Sequence, residues 1–430
     1  MTTRRTLLSW AGGAAGLAVL GGCRLRGSEA GSRVAPPTPG DVLFVSTSSG
    51  LAVVDAATGE RILPAPAALA TADWRLVTGT EPDVAGVRLV TRNPRTGQVV
   101  SEGPLRDRVE PRVISPDGQF VALTTPAGGT PTAPYRPAGR ERTTIVVAES
   151  GRERHRLDLP GNIEPEAFSP DGAVLYVLDY LPPARPDRYR VRAIELATGQ
   201  FRPLLTRLKT PVPAGAEEEM RGDGRQAVYD ATRRMLFTLY THQPDHEHTR
   251  DLLAGGARAD APQVHAFVHT LQLDTGMAYC IDLPAPFGQA APTAHAIVAQ
   301  PAGTRLYVVD VGSGRVAHID PDELAVAGVS RFSGADAAGE AFAATTVDGQ
   351  LVVAAGTRIT SLSMGHPSTV AEREWTLPAP ARGLALGDRG RLYVGQPDGV
   401  LACDLATGRE LARTPMADLV ALRHVMPAAS

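Results

Sequence analysis

A short unit of strands and turns recurs along most of this 430-residue chain and limits how the chain can fold. The clearest copy has the sequence SPDG at residues 169–172, an apolar run at 175–178, and a second run at 191–196 that ends in Thr198-Gly199. Pro presets φ, Asp bonds to its own backbone and Gly supplies a positive φ, so SPDG predicts a tight turn between two strands. Each copy therefore predicts four short strands, and such a unit buries its faces only when copies stack.

The turn after the third strand of each copy, DxxTG in its full form, counts the copies. We find eight of these TG turns, beginning at Asp55, Asn93, Glu149, Glu195, Asp274, Asp320, Ser363 and Asp404. Most intervals are close to the length of a four-stranded propeller blade, about 40–50 residues. We therefore predict an all-β fold, a single β-propeller of eight four-stranded blades. Seven blades is the alternative, because the copy at residues 68–100 is compressed.

The two ends of the array complement each other. Residues 42–45 form a second-type strand with no inner strand before it, whereas residues 417–422 supply an inner strand with no followers. Pairing these strands completes one blade and leaves no open sheet edge. We therefore expect one propeller domain over residues 41–430, closed by its N- and C-terminal strands.

The N-terminal residues predict export. Arg4 and Arg5 precede a Gly/Ala-rich apolar run that is too short for a good transmembrane helix and ends in Leu20-Gly21-Gly22-Cys23. The paired arginines look like a twin-arginine signal, and the tetrapeptide resembles the lipobox of bacterial lipoproteins. We expect a signal peptide at 1–22, lipidation of Cys23 and a flexible tether at 23–40, which would anchor the protein on the extracytoplasmic face of the cell membrane. Simple secretion, with an incidental Cys23, is the alternative.

The SPDG turns, the LYVxD strand at residues 306–310 and the TG turns at blade spacing are similar to those of the YVTN and WD-type β-propeller superfamily, particularly exported actinobacterial lipoproteins of unknown role. The resemblance covers nearly all of the chain after Gly40. It implies a fold rather than an activity, because propellers host binding scaffolds and unrelated enzymes alike. The net charge of −3 gives no reason to expect a nucleic-acid partner, and we expect a monomer.

Loop lengths point to one face of the disc. The longest predicted loops are residues 125–142, 180–189, 206–223, 242–262 and 284–292. All five are strand-two-to-three loops or blade-to-blade crossovers, so they emerge on the face opposite the TG turns, here called the long-loop face. Long loops on a rigid scaffold are a usual place for binding, and drift on a tolerant surface should lengthen loops on both faces. We expect a protein, peptide or glycan partner there.

Histidines are concentrated in one of these loops. His242, His246 and His248 lie in the sequence THQPDHEH, and His265 and His269 follow on the next predicted strand. A hairpin would bring His265 near His242. Imidazoles and carboxylates in this number could hold Zn²⁺ or Cu²⁺, although the spacing matches no known metal signature. The alternative is a polar loop, with His265 and His269 satisfied within the blade.

Two nearby features suggest no site from sequence alone. The acidic run at residues 217–219 predicts a short solvated helix. Cys280 and Cys403 alternate as buried strand residues in the fifth and eighth blades, too far apart for the Cα separation of about 4.4–6.8 Å that a disulfide needs. We therefore expect both to be inert core thiols.

Sequence motifs do not identify an enzyme. The chain has no G-x-S-x-G, C-x-x-C-H, P-loop or dinucleotide-binding motif, and it lacks the tryptophan docking motifs and adjacent cysteine pair of quinoprotein dehydrogenases. Acids that could surround a channel Ca²⁺, such as Glu166 and Glu340, are sparse on the inner strands. Our main hypothesis is a membrane-anchored binding scaffold without a cofactor. The alternative is a metal-dependent propeller enzyme, either a lactonase-like hydrolase or an oxidoreductase, and a purely structural envelope role is a third.

Overall fold

The computed structural model describes residues 40–428, except 66–67, 85, 128–135, 222–223, 244–245, 257–262, 302, 334–339, 347–348 and 365–369. For residues 64 and 370–372 only the backbone is described. The predicted signal peptide and nearly all of the predicted tether, with Arg4, Arg5 and Cys23, lie outside the described residues.

Within those residues, thirty-two strands form eight four-stranded antiparallel sheets, the blades of a propeller. Blade 1 contains β1 (Val42–Thr47), β2 (Gly50–Asp55), β3 (Arg61–Ala65) and β32 (Leu419–Met426). Blade 2 contains β4 (Ala68–Ala70), β5 (Val77–Asp83), β6 (Gly86–Arg92) and β7 (Val99–Leu105), and blade 3 contains β8 (Glu110–Ile114), β9 (Phe120–Thr124), β10 (Arg142–Glu149) and β11 (Arg152–Pro160). Blade 4 contains β12 (Asn162–Phe168), β13 (Val174–Leu181), β14 (Arg188–Glu195) and β15 (Gln200–Arg202), and blade 5 contains β16 (Gly224–Asp230), β17 (Met235–Thr241), β18 (Phe267–Gln272) and β19 (Met277–Asp282).

The remaining blades continue in chain order. Blade 6 contains β20 (His295–Ala299), β21 (Leu306–Asp310), β22 (Arg315–Asp320) and β23 (Ala325–Arg331). Blade 7 contains β24 (Ala341–Thr345), β25 (Leu351–Ala355), β26 (Arg358–Ser363) and β27 (Val370–Thr376), and blade 8 contains β28 (Leu384–Leu386), β29 (Arg391–Gln396), β30 (Gly399–Asp404) and β31 (Glu410–Pro415). The loop between β17 and β18 contains α1 (Thr249–Leu253), and a 3₁₀ turn at Pro292–Ala294 precedes β20.

Blade 1 closes the ring in the predicted way. Its strand order is β3-β2-β1-β32, so the C-terminal strand supplies the inner strand that the N-terminal strands lack. In the pairing of β1 with β32, Phe44 lies opposite His424 and Val45 opposite Leu422. The predictions of eight blades and of closure by both termini are therefore confirmed, and the compressed copy at residues 68–100 is a complete blade.

The recurring turns form because their side chains satisfy their own backbone. In the SPDG turn, the Ser169 hydroxyl donates to Asp171 at 2.6 Å and accepts the N–H of Val174 at 2.9 Å, while Gly172 has φ +68°. In the first TG turn, the Asp55 carboxylate accepts the N–H of Thr58 at 2.8 Å. Such local bonds compete well with regular structure, which is why these residues end each strand at the same place.

The hydrophobic core lies between adjacent blades. One cluster joins Tyr176 and Ala193 of blade 4 to Leu236 and Phe267 of blade 5, all at most 1% exposed. The Tyr176 hydroxyl also donates to the Leu273 carbonyl of blade 5 at 2.9 Å. A blade therefore buries its faces only against its neighbours, as expected for stacked repeats.

The strand order also determines the two faces of the disc. Each TG turn joins a third strand to a fourth, so the strand-two-to-three loops and the crossovers emerge on the opposite side. The predicted long loops follow β9, β13, β15, β17 and β19, and they therefore share one face. None of the helices in the described part of the chain is long and apolar enough to span a bilayer.

The inner strands carry more acidic residues than the sequence analysis recognised. Glu110 and Glu164 flank Arg112, with closest atoms 3.4 and 3.6 Å from its guanidinium nitrogens. Glu166 is 4% exposed and makes an ion pair with Arg225. These carboxylates are compensated by arginines within the protein, an arrangement typical of structural ion pairs rather than of a Ca²⁺ ligand set.

Candidate metal centre on the long-loop face

Two long segments meet above blade 5. The crossover at residues 203–223 runs beside the loop at residues 242–266, and Gln243 joins them. Its backbone N–H donates to the His265 carbonyl at 3.0 Å, and its side-chain oxygen accepts the N–H of Arg221 at 2.9 Å. The crossover is also tied to blade 4, since Met220 and Tyr189 exchange backbone hydrogen bonds of 3.0 and 2.8 Å. Both segments are therefore anchored by their backbones.

The acidic run at residues 217–219 is not helical, so the prediction of a short solvated helix is wrong. Glu217 accepts hydrogen bonds of 2.9 Å from Arg190 and from Arg192 of β14. Glu218 instead contacts Cys280 of blade 5. The paired backbone at Met220 and the arginines of blade 4 hold the segment in this form.

Glu218, His246 and His248 form a compact group of three potential metal ligands. Nε2 of His246 lies 3.2 Å from Nδ1 of His248, and Oε2 of Glu218 lies 3.8 and 3.7 Å from these two nitrogens. The side chains are 16%, 1% and 6% exposed, in the order Glu218, His246, His248. The His246 ring stacks on Phe267, with centroids 4.4 Å apart. Three donor atoms therefore point at one another in a nearly dry site.

Asp282, at the end of β19, orients His248. Its carboxylate lies 2.5 Å from Nε2 of His248 and also accepts a 2.8 Å hydrogen bond from Arg250. Burial opposes the charged imidazolium, but the hydrogen bond to Asp282 and the nearby Glu218 carboxylate outweigh it and raise the pKa of His248 to about 9. Burial likewise opposes ionisation of Glu218, yet the two adjacent histidines hold its pKa well below the usual range. The His248 imidazole therefore lies between two carboxylates, whose negative charges favour its protonated form.

Cys280 contacts this group through Glu218. Its Sγ lies 3.0 Å from Oε2 of Glu218, the oxygen that faces both histidines. Burial and the adjacent Glu218 carboxylate raise the pKa of this thiol well above its usual value. Cys403, in blade 8, is buried among apolar side chains and matches the expected core thiol. The expectation that Cys280 is an inert core thiol overlooked its contact with a carboxylate.

The other three predicted histidines lie outside this group of donor atoms. His242 turns its Nε2 to the Ala290 carbonyl at 2.5 Å, and His265 precedes β18, contributing its backbone carbonyl to Gln243. The predicted hairpin does place residue 265 beside residue 243. His269 is buried opposite Cys280 in the sheet, and burial lowers its pKa to about 4, so it forms a neutral wall beside the group.

Sequence reasoning found two of the ligand candidates, His246 and His248, and missed Glu218, Cys280 and Asp282. The sequence held a sign of some of these contacts. His246 and His248 are two residues apart, and so are Cys280 and Asp282. In extended backbone that spacing puts both side chains on one side.

A depression of about 540 Å³ lies on the TG-turn face between blades 5 and 6. Its Arg233 donates to Asp230 and Asp322, each at 2.7 Å. Because the Arg233 guanidinium is already paired within the protein, this depression is a weaker candidate for a binding site than the histidine group on the long-loop face.

Comparison with known proteins shows the fold alone. No protein-family model matches the sequence, and no curated protein sequence matches it. The structure is similar to apo AztD from Citrobacter koseri, with a TM-score of 0.54 and 10% identity, covering 91% of this chain and 99% of that one. It is also similar to the dihydro-heme d1 dehydrogenase NirN in complex with DHE, with a TM-score of 0.50 and 13% identity, covering 92% and 76%. Sqt1 from Saccharomyces cerevisiae has a TM-score of 0.46 and 10% identity, covering 80% and 83%.

The likeness is one of fold. The chain is an eight-bladed β-propeller, and one of the similar structures, NirN, is named as a dehydrogenase. A shared propeller does not carry an activity from one protein to another, so the function must be argued from the site.

Proposed function

We propose that the protein is an extracytoplasmic, lipid-anchored β-propeller whose long-loop face binds one divalent transition-metal ion, with Zn²⁺ as the first candidate. The proposed ligands are Nε2 of His246, Nδ1 of His248 and Oε2 of Glu218. The observation that carries the proposal is the orientation of His248: its Nε2 is held by Asp282 at 2.5 Å, so its Nδ1 faces the other two donors. Metal-bound histidines usually donate their second N–H to a carboxylate in this way.

The distances between donors fit a small tetrahedral site. Bond lengths of about 2.0–2.2 Å to nitrogen and oxygen imply donor separations of about 3.3–3.6 Å in a tetrahedron. The three observed separations, 3.2, 3.7 and 3.8 Å, are close to these values. Two imidazoles with a carboxylate suit Zn²⁺, and also Cu²⁺.

The same contacts allow a second arrangement, without metal, in which His248 is an imidazolium held between Glu218 and Asp282. Nδ1 of His246 is buried without a hydrogen-bond partner among the described residues in either arrangement, because the metal would bind the other ring nitrogen. Metal content is therefore the property that separates the two arrangements.

Metal binding would link two of the longest loops to one blade. Glu218 belongs to the crossover at 203–223, whereas His246 and His248 belong to the loop at 242–266. A metal bound to all three would hold both segments in one arrangement, which favours a preformed surface for a protein, peptide or glycan partner. The proposed anchor at Cys23 and the tether at 23–40 would leave that surface exposed outside the membrane.

The test is metal content of the protein purified without chelator or polyhistidine tag, then exposed to Zn²⁺ and dialysed. We expect one tightly bound equivalent in the unaltered protein and in His242→Ala, a histidine of the same loop that lies outside the group. We expect loss of that equivalent in the double variant His246→Ala/His248→Ala. Circular dichroism must show that both variants keep the β-sheet fold. The proposal is overturned if the unaltered protein binds no metal or if the double variant retains it.

A further inference from the structure

We infer that the propeller is held with its TG-turn face towards the membrane, so that the long-loop face points away from the bilayer. The inference rests on the anchor at Cys23 that is part of the proposed function, and it adds the side from which a partner reaches the protein. The place where the chain enters the ring carries the inference, because a tether attached to one face of a disc keeps that face closest to the anchor.

The chain enters the ring on the TG-turn face. β1 is the second strand of blade 1, and its connection to β2 lies on the long-loop face, so β1 begins at the opposite face. The carbonyl of Asp41, just before β1, accepts the N–H of Ala56 in the first TG turn at 3.0 Å. The predicted tether therefore joins the propeller among the TG turns.

A TG turn of the next blade holds this entry point. Arg95, in the TG turn of blade 2, donates to the Gly40 carbonyl at 2.5 Å and also to the carbonyl of Pro427, just after β32. The N–H of Ala428 donates to the Asp41 carboxylate at 2.8 Å. Both ends of the propeller are thus fixed at one place on the TG-turn face, and Gly40 belongs to the ring.

The span of the tether is close to the thickness of the disc. Over the 17 residues from 24 to 40, a flexible chain has a root-mean-square span of about 20–25 Å. The two middle strands of blade 4 contain eight residues each, which gives a distance of about 26 Å between the faces at about 3.3 Å per residue. To bring the long-loop face to the bilayer, the tether would have to cross this thickness and also pass the rim of the disc. The TG-turn face therefore stays nearer the lipid.

The TG turns themselves do not suit contact with anionic lipid. Six of the eight begin with Asp or Glu. The Asp55 and Asp404 carboxylates, for example, accept the backbone N–H groups of Thr58 and Thr407 at 2.8 and 2.9 Å. Faces that bind anionic headgroups carry clusters of Lys and Arg instead. The tether thus holds the disc near the bilayer, and a soluble partner in the extracytoplasmic space, rather than the lipid, meets the long-loop face.

The experiment compares two labelled positions on opposite faces of blade 4. Ala197 lies in the TG turn and Ala184 in the loop between the second and third strands, and both are exposed. Ala197→Cys and Ala184→Cys are purified as the full lipid-modified chain, labelled with a donor fluorophore and added to phosphatidylcholine vesicles that carry an acceptor on a small fraction of the headgroups. The unaltered protein is the labelling control, because Cys280 and Cys403 are buried. We expect higher energy transfer from residue 197, which should lie nearer the lipid by up to about 26 Å.

The outcomes separate the orientation from the proposed function. Equal transfer from the two positions, or higher transfer from residue 184, overturns the orientation, whereas the metal content of the same protein tests the metal site independently. An unaltered protein that does not float with the vesicles in a density gradient overturns the anchor and the orientation with it. If a variant of blade 4 does not fold, Ala57→Cys and Ser48→Cys give the same comparison in blade 1, where both residues are exposed on opposite faces.

Discussion

Replacing Asp41 by alanine should destabilise the ring at its closure. Asp41 is 3% exposed and precedes β1. Its carboxylate accepts hydrogen bonds from Arg391 at 3.0 Å and from the Tyr393 hydroxyl at 2.5 Å, both in blade 8. It also accepts the N–H of Ala428, just after β32, at 2.8 Å. One buried side chain thus joins the N-terminus, the C-terminus and the last blade.

The structure gives the size of the effect. Arg391 is 1% exposed, so the variant leaves a buried guanidinium without this carboxylate. Breaking a buried ion pair from one side costs about 3–5 kcal/mol. Unfolding entropy is about 2.1 cal/mol/K per residue, so a propeller of about 390 residues has about 0.8 kcal/mol/K, and the melting temperature should fall by about 4–6 °C.

Asp418→Ala is the matched control, because it breaks an ion pair of the same blade at the surface. Asp418 and Arg61 lie 2.6 Å apart, with side chains 33% and 39% exposed. Exposed pairs contribute about 0–1 kcal/mol, which predicts a fall of about 1 °C or less. Differential scanning calorimetry measures both variants. Equal shifts in the two would refute the reasoning, since burial would then not determine the cost of losing the carboxylate.

Three further predictions follow from the geometry. Asp282→Asn should lower Zn²⁺ affinity about 10–100-fold, measured by competition with a chromophoric chelator, and an unchanged affinity would contradict its role in orienting His248. Burial against Trp74 lowers the pKa of His424 to about 4, whereas the pKa in the unfolded chain is about 6.5. The stability that neutral His424 contributes is therefore complete above pH of about 6.5 and falls by up to about 3 kcal/mol as the pH drops towards 4. His424→Phe should flatten this part of the pH profile of urea unfolding, and identical profiles would count against it. Gly172→Ala should lower the free energy of unfolding by about 2–4 kcal/mol, because φ is +68° and the new Cβ would lie 2.4 Å from an aromatic ring of blade 3. Gly215→Ala, with φ +86° and open space around the new Cβ, should cost only about 1–2 kcal/mol. Similar melting temperatures for the two variants would contradict the predicted clash with the ring.

The sequence alone determined the fold to the level of blade number and closure. The Ser169 and Asp171 side chains accept backbone N–H groups within five residues of themselves, so the turn forms wherever that tetrapeptide occurs. Repetition of such local signals then counts the blades, and unmatched strands at the two ends indicate how the ring closes. The assignment of the long loops to one face follows from the same order, because antiparallel strands alternate in direction.

The candidate site depended on tertiary structure. Glu218 belongs to a run whose composition is typical of a solvated helix, yet Met220 beside it pairs with Tyr189 and the Glu218 carboxylate contacts Cys280 of blade 5. Cys280 has the alternation of an ordinary core residue, and only the path of the crossover brings a carboxylate to its sulfur. The loop at 242–266 presents His246 and His248 to the group and leaves His242 on a backbone carbonyl. These contacts join segments that are far apart in the chain, so they depend on how the loops pack over blade 5, which no local pattern of residues encodes.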